Sequence, residues 1–314
     1  VAADFGPAFD TEVPSGGYLW WYLDGLSDDH RFAITLIAFV GSSFSPYYAW
    51  AGRRDPLNHC CINVALYGQS AGRWAMTERA RDAVERTPAS LRIGPSVLVW
   101  RDGALAIGVD ELAFPVPRRI RGTIRMSPKA LPATCFRFDG GGGHVWQPIA
   151  PRARIEVDLL YPKLRWSGDA YFDANCGQEP LEDGFRHWSW ARAHRGGDSV
   201  ILYDARRRDG GGASLALRFA SSGAIEGLPP LPMATLSDTA WRLGRTMRAD
   251  SGSEVLLRST LEDTPFYARS LLEASLYGES ALAFHECLSL DRFRSNMVRA
   301  MLPFRMPRAG RLFR

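Results

Sequence analysis

Apolar and polar residues alternate in short runs along most of this chain, and glycine, proline or aspartate ends nearly every run. A period of two sends successive side chains to opposite faces of an extended backbone, so each run predicts a strand with one face in a core. Gly17 to Leu23, Arg31 to Val40, Cys60 to Tyr67, Val97 to Trp100, Leu105 to Val109 and Arg119 to Met126 are expected as strands. Arg154 to Leu160, Ser199 to Ala205, Ser214 to Phe219, Thr239 to Arg248, Glu254 to Thr260 and Glu273 to Tyr277 continue the series. Their β-branched and aromatic content agrees with that reading. Arg101-Asp102-Gly103 and Asp209-Gly210-Gly211-Gly212 supply the residues of hairpin turns. Only Arg73 to Arg86 and Leu288 to Met301 read as helices. The whole is an all-β, antiparallel pattern, a barrel or sandwich with few short helices. Ser221 to Leu236, with Gly223, Gly227, Pro229, Pro230 and Pro232, has no period and predicts a linker. Two domains are therefore expected, 14–228 and 229–314, the second a β domain with a terminal helix and a basic tail.

Composition narrows the classes. With 314 residues, 46% hydrophobic and 23% charged, the chain can bury a substantial core and is not disordered. Its net charge of +4 rests almost wholly on arginine, since Lys129 and Lys163 are the only lysines, and no nucleic-acid partner is inferred from it. Five cysteines, Cys60, Cys61, Cys135, Cys176 and Cys287, have no CxxC spacing and are expected as reduced thiols of a cytoplasmic protein. The six histidines show no HExxH or HxH arrangement, so no metal is expected. There is no GxSxG elbow and no dinucleotide fingerprint, so neither a serine hydrolase nor a nicotinamide or flavin cofactor is expected. Gly140 to Gly143 lacks the Lys and hydroxyl of a phosphate loop and reads as a turn. No signal-peptide pattern and no 18-residue apolar run occurs, so a membrane span is not expected. The first residue is Val1 rather than Met, and residues preceding it are expected.

Candidate chemistry concentrates in Trp166-Ser-Gly-Asp-Ala-Tyr171-Phe-Asp173-Ala-Asn175-Cys-Gly177, with Phe185-Arg-His187-Trp188-Ser-Trp190 close behind. A carboxyl group enclosed by rings has its charged form disfavoured and can serve as a general acid, while ring faces stabilise a cation. The competing reading makes Tyr171, Trp188 and Trp190 core residues and Asp173 a turn residue. Alternation puts Tyr171 and Asp173 on one face of a strand, and His144 and Trp146 on one face of another, so two strands could present both pairs to a common interior. Trp20-Trp21-Tyr22, with Asp24 just after, reads as a first barrel strand with rings on both sides. Asp28-Asp29 and Glu262-Asp263-Thr264-Pro265-Phe266-Tyr267 read as structural turns. From Arg292 onward, Arg292, Arg294, Arg299, Arg305, Arg308, Arg311 and Arg314 alternate with apolar residues. That segment suits either an anionic membrane surface or a packed helix with a solvated tail.

Taken together, several stretches resemble the carotenoid 1,2-hydratases, or hydroxyneurosporene synthases, of phototrophic bacteria. They are Gly16-Gly-Tyr-Leu-Trp-Trp-Tyr-Leu-Asp24, Trp146-Gln-Pro148-Ile-Ala-Pro-Arg-Ala-Arg154, Arg165-Trp-Ser-Gly168 and Tyr171-Phe-Asp-Ala-Asn175. Glu179-Pro-Leu-Glu182, Trp188-Ser-Trp-Ala-Arg192, Leu261-Glu-Asp-Thr-Pro-Phe-Tyr-Ala-Arg-Ser270 and Leu302-Pro-Phe-Arg-Met-Pro-Arg308 extend the resemblance over nearly the whole chain. It implies a lipocalin-like, calycin-like pair of β barrels and cofactor-independent addition of water to the terminal C1,C2 double bond of an acyclic carotenoid. In the broader pattern of related two-domain proteins Asp173 and Gly177 are kept, whereas Ala174 and Cys176 depart from it.

That chemistry needs an acid, a cation stabiliser and a water holder. Asp173 is expected to protonate C2, Trp146 and Tyr171 to face the cation at C1, and His144 to orient Asp173 or to position the water and take its proton. Trp188 and Asn175 are expected to contact substrate. The expected location is cytoplasmic, with peripheral contact to the inner or photosynthetic membrane where such substrates reside. A non-catalytic carotenoid carrier is the alternative, and a cyclase or isomerase that protonates without capturing water is a third reading.

Overall fold

The computed structural model describes residues 6–69, 71–139 and 143–310. They divide into two compact units, one running to Pro180 and resuming at Ala300, the other Leu181–Arg299. Both are built from antiparallel strands, as the alternation predicts.

The first unit holds β1 (Tyr18–Ser27), β2 (Ala33–Val40), β3 (Cys60–Tyr67), β4 (Arg73–Arg79), β5 (Val84–Thr87) and β6 (Ser90–Ile93). It continues with β7 (Ser96–Arg101), β8 (Ala104–Leu112), β9 (Arg119–Pro128), β10 (Phe136–Arg137), β11 (His144–Tyr161) and β12 (Leu164–Gly177). They form one 12-stranded sheet in the order β4-β3-β2-β1-β12-β11-β9-β8-β7-β6-β5, with β10 on β11. Leu19, Trp21 and Leu23 of β1 and Phe172 of β12 share one apolar cluster with Leu98 and Trp100 of β7 and Ile107 of β8. Strands far apart in the sheet order thus meet across one core, which a flat sheet could not achieve, and the sheet curls into a nearly closed barrel.

Arg73 to Arg86, expected as a helix, is instead β4, a single turn at Arg81–Ala83 and β5. The segment is rich in helix formers, but Met76 pairs with Asn63 and Ala75 with Val64 on β3, and ladder pairing overrides a weak local propensity. β4 is an edge strand, and the C-terminal segment covers it: Glu78 N–H donates to Pro307 O at 2.9 Å and Ala309 N–H to Glu78 O at 2.8 Å. The fully buried Glu78 carboxylate accepts from Ser45 and from the Arg308 guanidinium, and meets His59 Nδ1 at 3.0 Å. Arg305 lies 4.4 Å over the Trp74 ring, and Met306 is buried. Capping an exposed edge in this way removes a pairing surface that would otherwise recruit another chain.

The second unit contains β13 (Phe185–Arg195), β14 (Asp198–Arg207), β15 (Gly212–Phe219), β16 (Ile225–Gly227), β17 (Met233–Leu236) and β18 (Arg245–Arg248). β19 (Leu256–Asp263), β20 (Tyr267–Leu276) and β21 (Glu279–Ser289) complete it, in a seven-stranded sheet ordered β16-β15-β14-β13-β21-β20-β19 with β17 and β18 as a separate ribbon. Its core mixes small side chains, Ala191, Ala193, Ala274 and Ala283 among them, with Leu202, Met247 and Leu272. Ser221 to Leu236, the expected linker, lies inside this unit and supplies β16 and β17, whereas the chain changes unit at Pro180 and Leu181. Glycine and proline there mark a hairpin and a ribbon approach, and the real crossing carries little compositional signal.

The expected helix Leu288–Met301 is two short ones, Leu290–Phe293 and Asn296–Met301. Arg292 donates to Trp241 O and Arg242 O, Arg294 meets Asp183 and Arg299 meets Glu182. The five described arginines of the basic segment therefore all have partners within their own unit; Arg311 and Arg314 lie outside the described residues, as does the greater part of the Gly140 to Gly143 run. No helix among the described residues is long and apolar enough to cross a membrane.

Candidate active site

β1, β12 and β11 lie side by side, and their register decides which side chains meet. Tyr22 pairs with Asp173, Asp24 with Tyr171 and Trp20 with Asn175; on the other flank Trp146 pairs with Asn175, Pro148 with Asp173 and His144 with Gly177. Alternation sends Leu19, Trp21, Leu23, Phe172 and Ala174 into the apolar core. The intervening residues, Tyr18, Trp20, Tyr22, Asp24, His144, Trp146, Tyr171, Asp173 and Asn175, share the opposite face, and all are buried.

On that face the Asp173 carboxyl is the focus. Its Oδ2 accepts from the Tyr171 hydroxyl at 2.6 Å and from the Trp146 indole N–H at 2.8 Å, and the indole also lies 3.1 Å from the phenol oxygen. Asn175 Nδ2 stands 3.5 Å from Oδ1. Phe136 packs against the Trp146 ring with centroids 5.2 Å apart. Next to these contacts β11 is irregular, with register shifts between Pro148 and Ala150 and between Ala150 and Ala153. Proline opposite Asp173 has no N–H for the ladder, and a local bulge re-aims neighbouring side chains. Burial disfavours the charged carboxylate, whereas phenol and indole donors favour it. Both donors are neutral, so they hold the carboxyl in place without fixing a cation beside it.

Of the residues expected to act, Trp146, Tyr171, Asp173 and Asn175 come together. His144 is on the same face, but its register partner Gly177 is four residues from Asp173, roughly 13 Å along a strand. Its Nδ1 meets the Tyr18 hydroxyl at 2.9 Å and its Nε2 meets Glu179 Oε1 at 3.0 Å. A carboxylate only accepts, so Nε2 carries the hydrogen and Nδ1 receives the Tyr18 proton. Tyr18 reaches His144 across β12 because Gly177 stands between them: a Cβ there would sit 2.3 Å from the Tyr18 ring and 2.8 Å from His144 Nδ1. Trp188 is placed in the second unit, packed against Phe185 and Tyr203 with centroids 5.5 and 4.9 Å apart.

Sequence reasoning gave Tyr18 and Glu179 no site role and read Tyr22 and Asp24 as part of a structural barrel strand. Asp24 is fully buried and accepts from the Tyr22 hydroxyl at 3.1 Å, and the Tyr22 and Tyr171 rings meet edge-on at 6.1 Å. A signal for it existed, since Tyr22-Leu-Asp24 repeats the spacing of Tyr171-Phe-Asp173. Among the described residues, no group of three or more His, Cys, Asp or Glu side chains is arranged to hold a metal ion.

Comparison with solved structures supports the architecture. The chain superimposes on a protein described as AttH from Nitrosomonas europaea with a TM-score of 0.57 at 14% identity, covering 91% of this chain and 99% of that one. Kievitone hydratase from Nectria haematococca gives 0.53 at 10% identity, with 92% and 95% covered. Such distant likeness speaks for the fold alone. Sequence relatives are far nearer: the acyclic carotenoid 1,2-hydratase of Thiocapsa roseopersicina is 55% identical over 97% of this chain and 76% of its own length. The enzyme of the same name from Rubrivivax gelatinosus is 49% identical over 96% and 76%, and that of Cereibacter sphaeroides 40% identical over 87% and 98%. Since the family described as carotenoid hydratase CrtC matches residues 36–313, a span that takes in Asp173 and its partners, the chain belongs to that family of enzymes.

Proposed function

We propose that this protein adds water across the terminal C1,C2 double bond of acyclic carotenoids such as neurosporene and lycopene, leaving a tertiary alcohol at C1 without the help of a cofactor. The names of its relatives support the substrate and the reaction. The observation that carries the mechanism is the convergence of the Tyr171 hydroxyl and the Trp146 indole N–H on one oxygen of the buried Asp173.

An isolated trisubstituted alkene accepts water only after protonation at its less substituted carbon, which leaves a tertiary cation next to it. Asp173, held by the Tyr171 hydroxyl and the Trp146 indole N–H, delivers its carboxyl hydrogen to C2. The Trp146 and Tyr171 rings then face the cation at C1, where their negative π faces offset its charge. His144, held between Tyr18 and Glu179, is a positioning residue that fixes the start of β11 and with it Trp146, two residues on. Asn175, on the same face as Asp173, contacts the polyene. A lipid-borne substrate has to be taken up at a membrane surface, so the protein works as a cytoplasmic enzyme in peripheral contact with the membrane, a reading that the exposed Met301 and Phe304 side chains support.

The test is to incubate purified protein with lycopene or neurosporene in vesicles and to analyse the carotenoids by chromatography and mass. A product heavier by one water supports hydration, a bound but unchanged carotenoid supports the carrier, and a new product of unchanged mass supports a cyclase or isomerase. Sedimentation with anionic vesicles, lost on Phe304→Ser, supports the membrane arm of the reading.

A further inference from the structure

Hydration needs two proton transfers, one to C2 and one from the water that attacks C1, and the site face holds two buried carboxyl groups. We infer that Asp24 is the base of the reaction, taking the proton from the attacking water while Asp173 protonates the alkene. This rests on the reading of Asp173 as the acid, and the two can fail separately, as the experiment below shows.

Register sets the relation between the two carboxyl groups. Tyr22-Leu-Asp24 and Tyr171-Phe-Asp173 run antiparallel on neighbouring strands, with Tyr22 opposite Asp173 and Asp24 opposite Tyr171. The two tripeptides are related by a local twofold axis through Leu23 and Phe172, which face each other and point into the core. Each aspartate accepts from the tyrosine two residues before it, at 3.1 Å for Tyr22 and 2.6 Å for Tyr171. The carboxyl-bearing residues are diagonal neighbours across the ladder, about 7–8 Å apart at the backbone. Where one carboxyl protonates a substrate and another activates water in inverting glycoside hydrolysis, the pair stands roughly 6.5–9.5 Å apart, leaving room for that water. Diagonal placement on one face of β1 and β12 leaves the two side chains able to flank a water in the same way.

The reaction requires the two groups in opposite states, one carboxyl carrying the proton and the other free to take one. Two buried carboxyl groups on one face disfavour holding two charges at once. Asp24, with no exposure to solvent, has no bulk water with which to exchange its charge directly. Each carboxyl accepts from its own phenol, and the Tyr22 and Tyr171 rings meet edge-on.

The cycle balances. The O–H of Asp173 breaks as the C2–H bond forms, leaving a carboxylate and a cation at C1. Water forms the C1–O bond, and its proton passes to the Asp24 carboxylate. Return of one proton from Asp24 to Asp173 restores the starting state, so nothing is consumed but the alkene and water. His144, about four residues along the strand and already bonded to Tyr18 and Glu179, is not needed for this step.

Deuterium separates acid from base. In D2O, protonation by Asp173 followed by return of a proton from C2 exchanges the C2 hydrogen of unhydrated carotenoid, with no need of a water base. Asp24→Asn is expected to lose hydration by about 10²-fold or more while C2 exchange stays within several-fold of the native protein; Asp173→Asn is expected to lose both. Asp24→Asn with native hydration, or with hydration and exchange lost together, overturns the role of Asp24. Asp173→Asn that still hydrates overturns the acid instead. If Asp24→Asn does not fold by circular dichroism, Tyr22→Phe takes its place: a raised ratio of exchange to hydration supports the base, and an unchanged ratio overturns it.

Discussion

Each unit carries a buried polar group among apolar neighbours, and the two stand in opposite relations to their cores. Asp173 lies on the face of β12 turned away from Phe172 and the apolar cluster, and its partners are a phenol, an indole and an amide. His285 of β21 projects into the core of the second unit, level with Ala191 and Ser270. Its Nε2 donates to the Thr246 carbonyl at 2.9 Å, Ser189 lies 3.4 Å away, and burial lowers its pKa to about 4. A backbone carbonyl only accepts, so it locks the imidazole in one neutral tautomer. A phenol and an indole placed on a carboxyl are neutral donors that hold it without a counter-charge. Burial is common to both; the chemistry of the partner separates the imidazole's fixed role from the one proposed for the carboxyl.

The largest effect expected from breaking this contrast is on the first unit. Asp173→Asn keeps the shape and removes the acid, so turnover should fall by roughly 10²–10⁴-fold or more with little change in melting temperature, read by product formation and calorimetry. Near-native turnover would falsify the assignment. One residue away the balance reverses: Phe172, 1% exposed and 6.4 Å from the Trp100 ring, belongs to the core face. Phe172→Ala should cost about 3–5 kcal/mol in urea unfolding while the folded fraction keeps most of its turnover.

His285 predicts a pH effect of similar size on stability alone. Above pH 6.5 its imidazole is neutral in both states and contributes no slope. As pH falls from 6.5 towards 4, the unfolded chain binds a proton that the folded one refuses, so stability falls with pH, and below 4 this contribution is flat. The span corresponds to about 3 kcal/mol. Unfolding at pH 7 and pH 4.5 measures it, and a slope unchanged by His285→Gln removes His285 from the account. The smallest effect is expected at Gly177→Ala, where a methyl group pushes Tyr18 from His144. Overpacking of this kind costs about 1–3 kcal/mol, and a further drop in turnover sharpens the positioning role of His144.

Much of this was legible without coordinates because strand periodicity is local. His144 with Trp146 and Tyr171 with Asp173 can be assigned to strand faces from their spacing alone. Asp24 was equally legible in its repeat of the Tyr-x-Asp spacing, but a second acid 149 positions away gives no reason for pairing until β1 and β12 are neighbours. Arg73 to Arg86 was misread because an edge strand draws its conformation from β3 and from the returning C-terminal segment. The linker was misread because proline and glycine mark turns within a unit as readily as boundaries between units.

The sequence by itself determined the strand-dominated class, the family and the sharing of one strand face by Tyr171 and Asp173, since these are carried by local pattern and motif. Tertiary structure alone decided that Trp146 rather than His144 bonds Asp173, that Gly177 lets Tyr18 reach His144, and that Arg308 closes over Glu78. Those outcomes follow from strand register, and register is set by which faces can share a core, a property of the whole sheet that no local window contains.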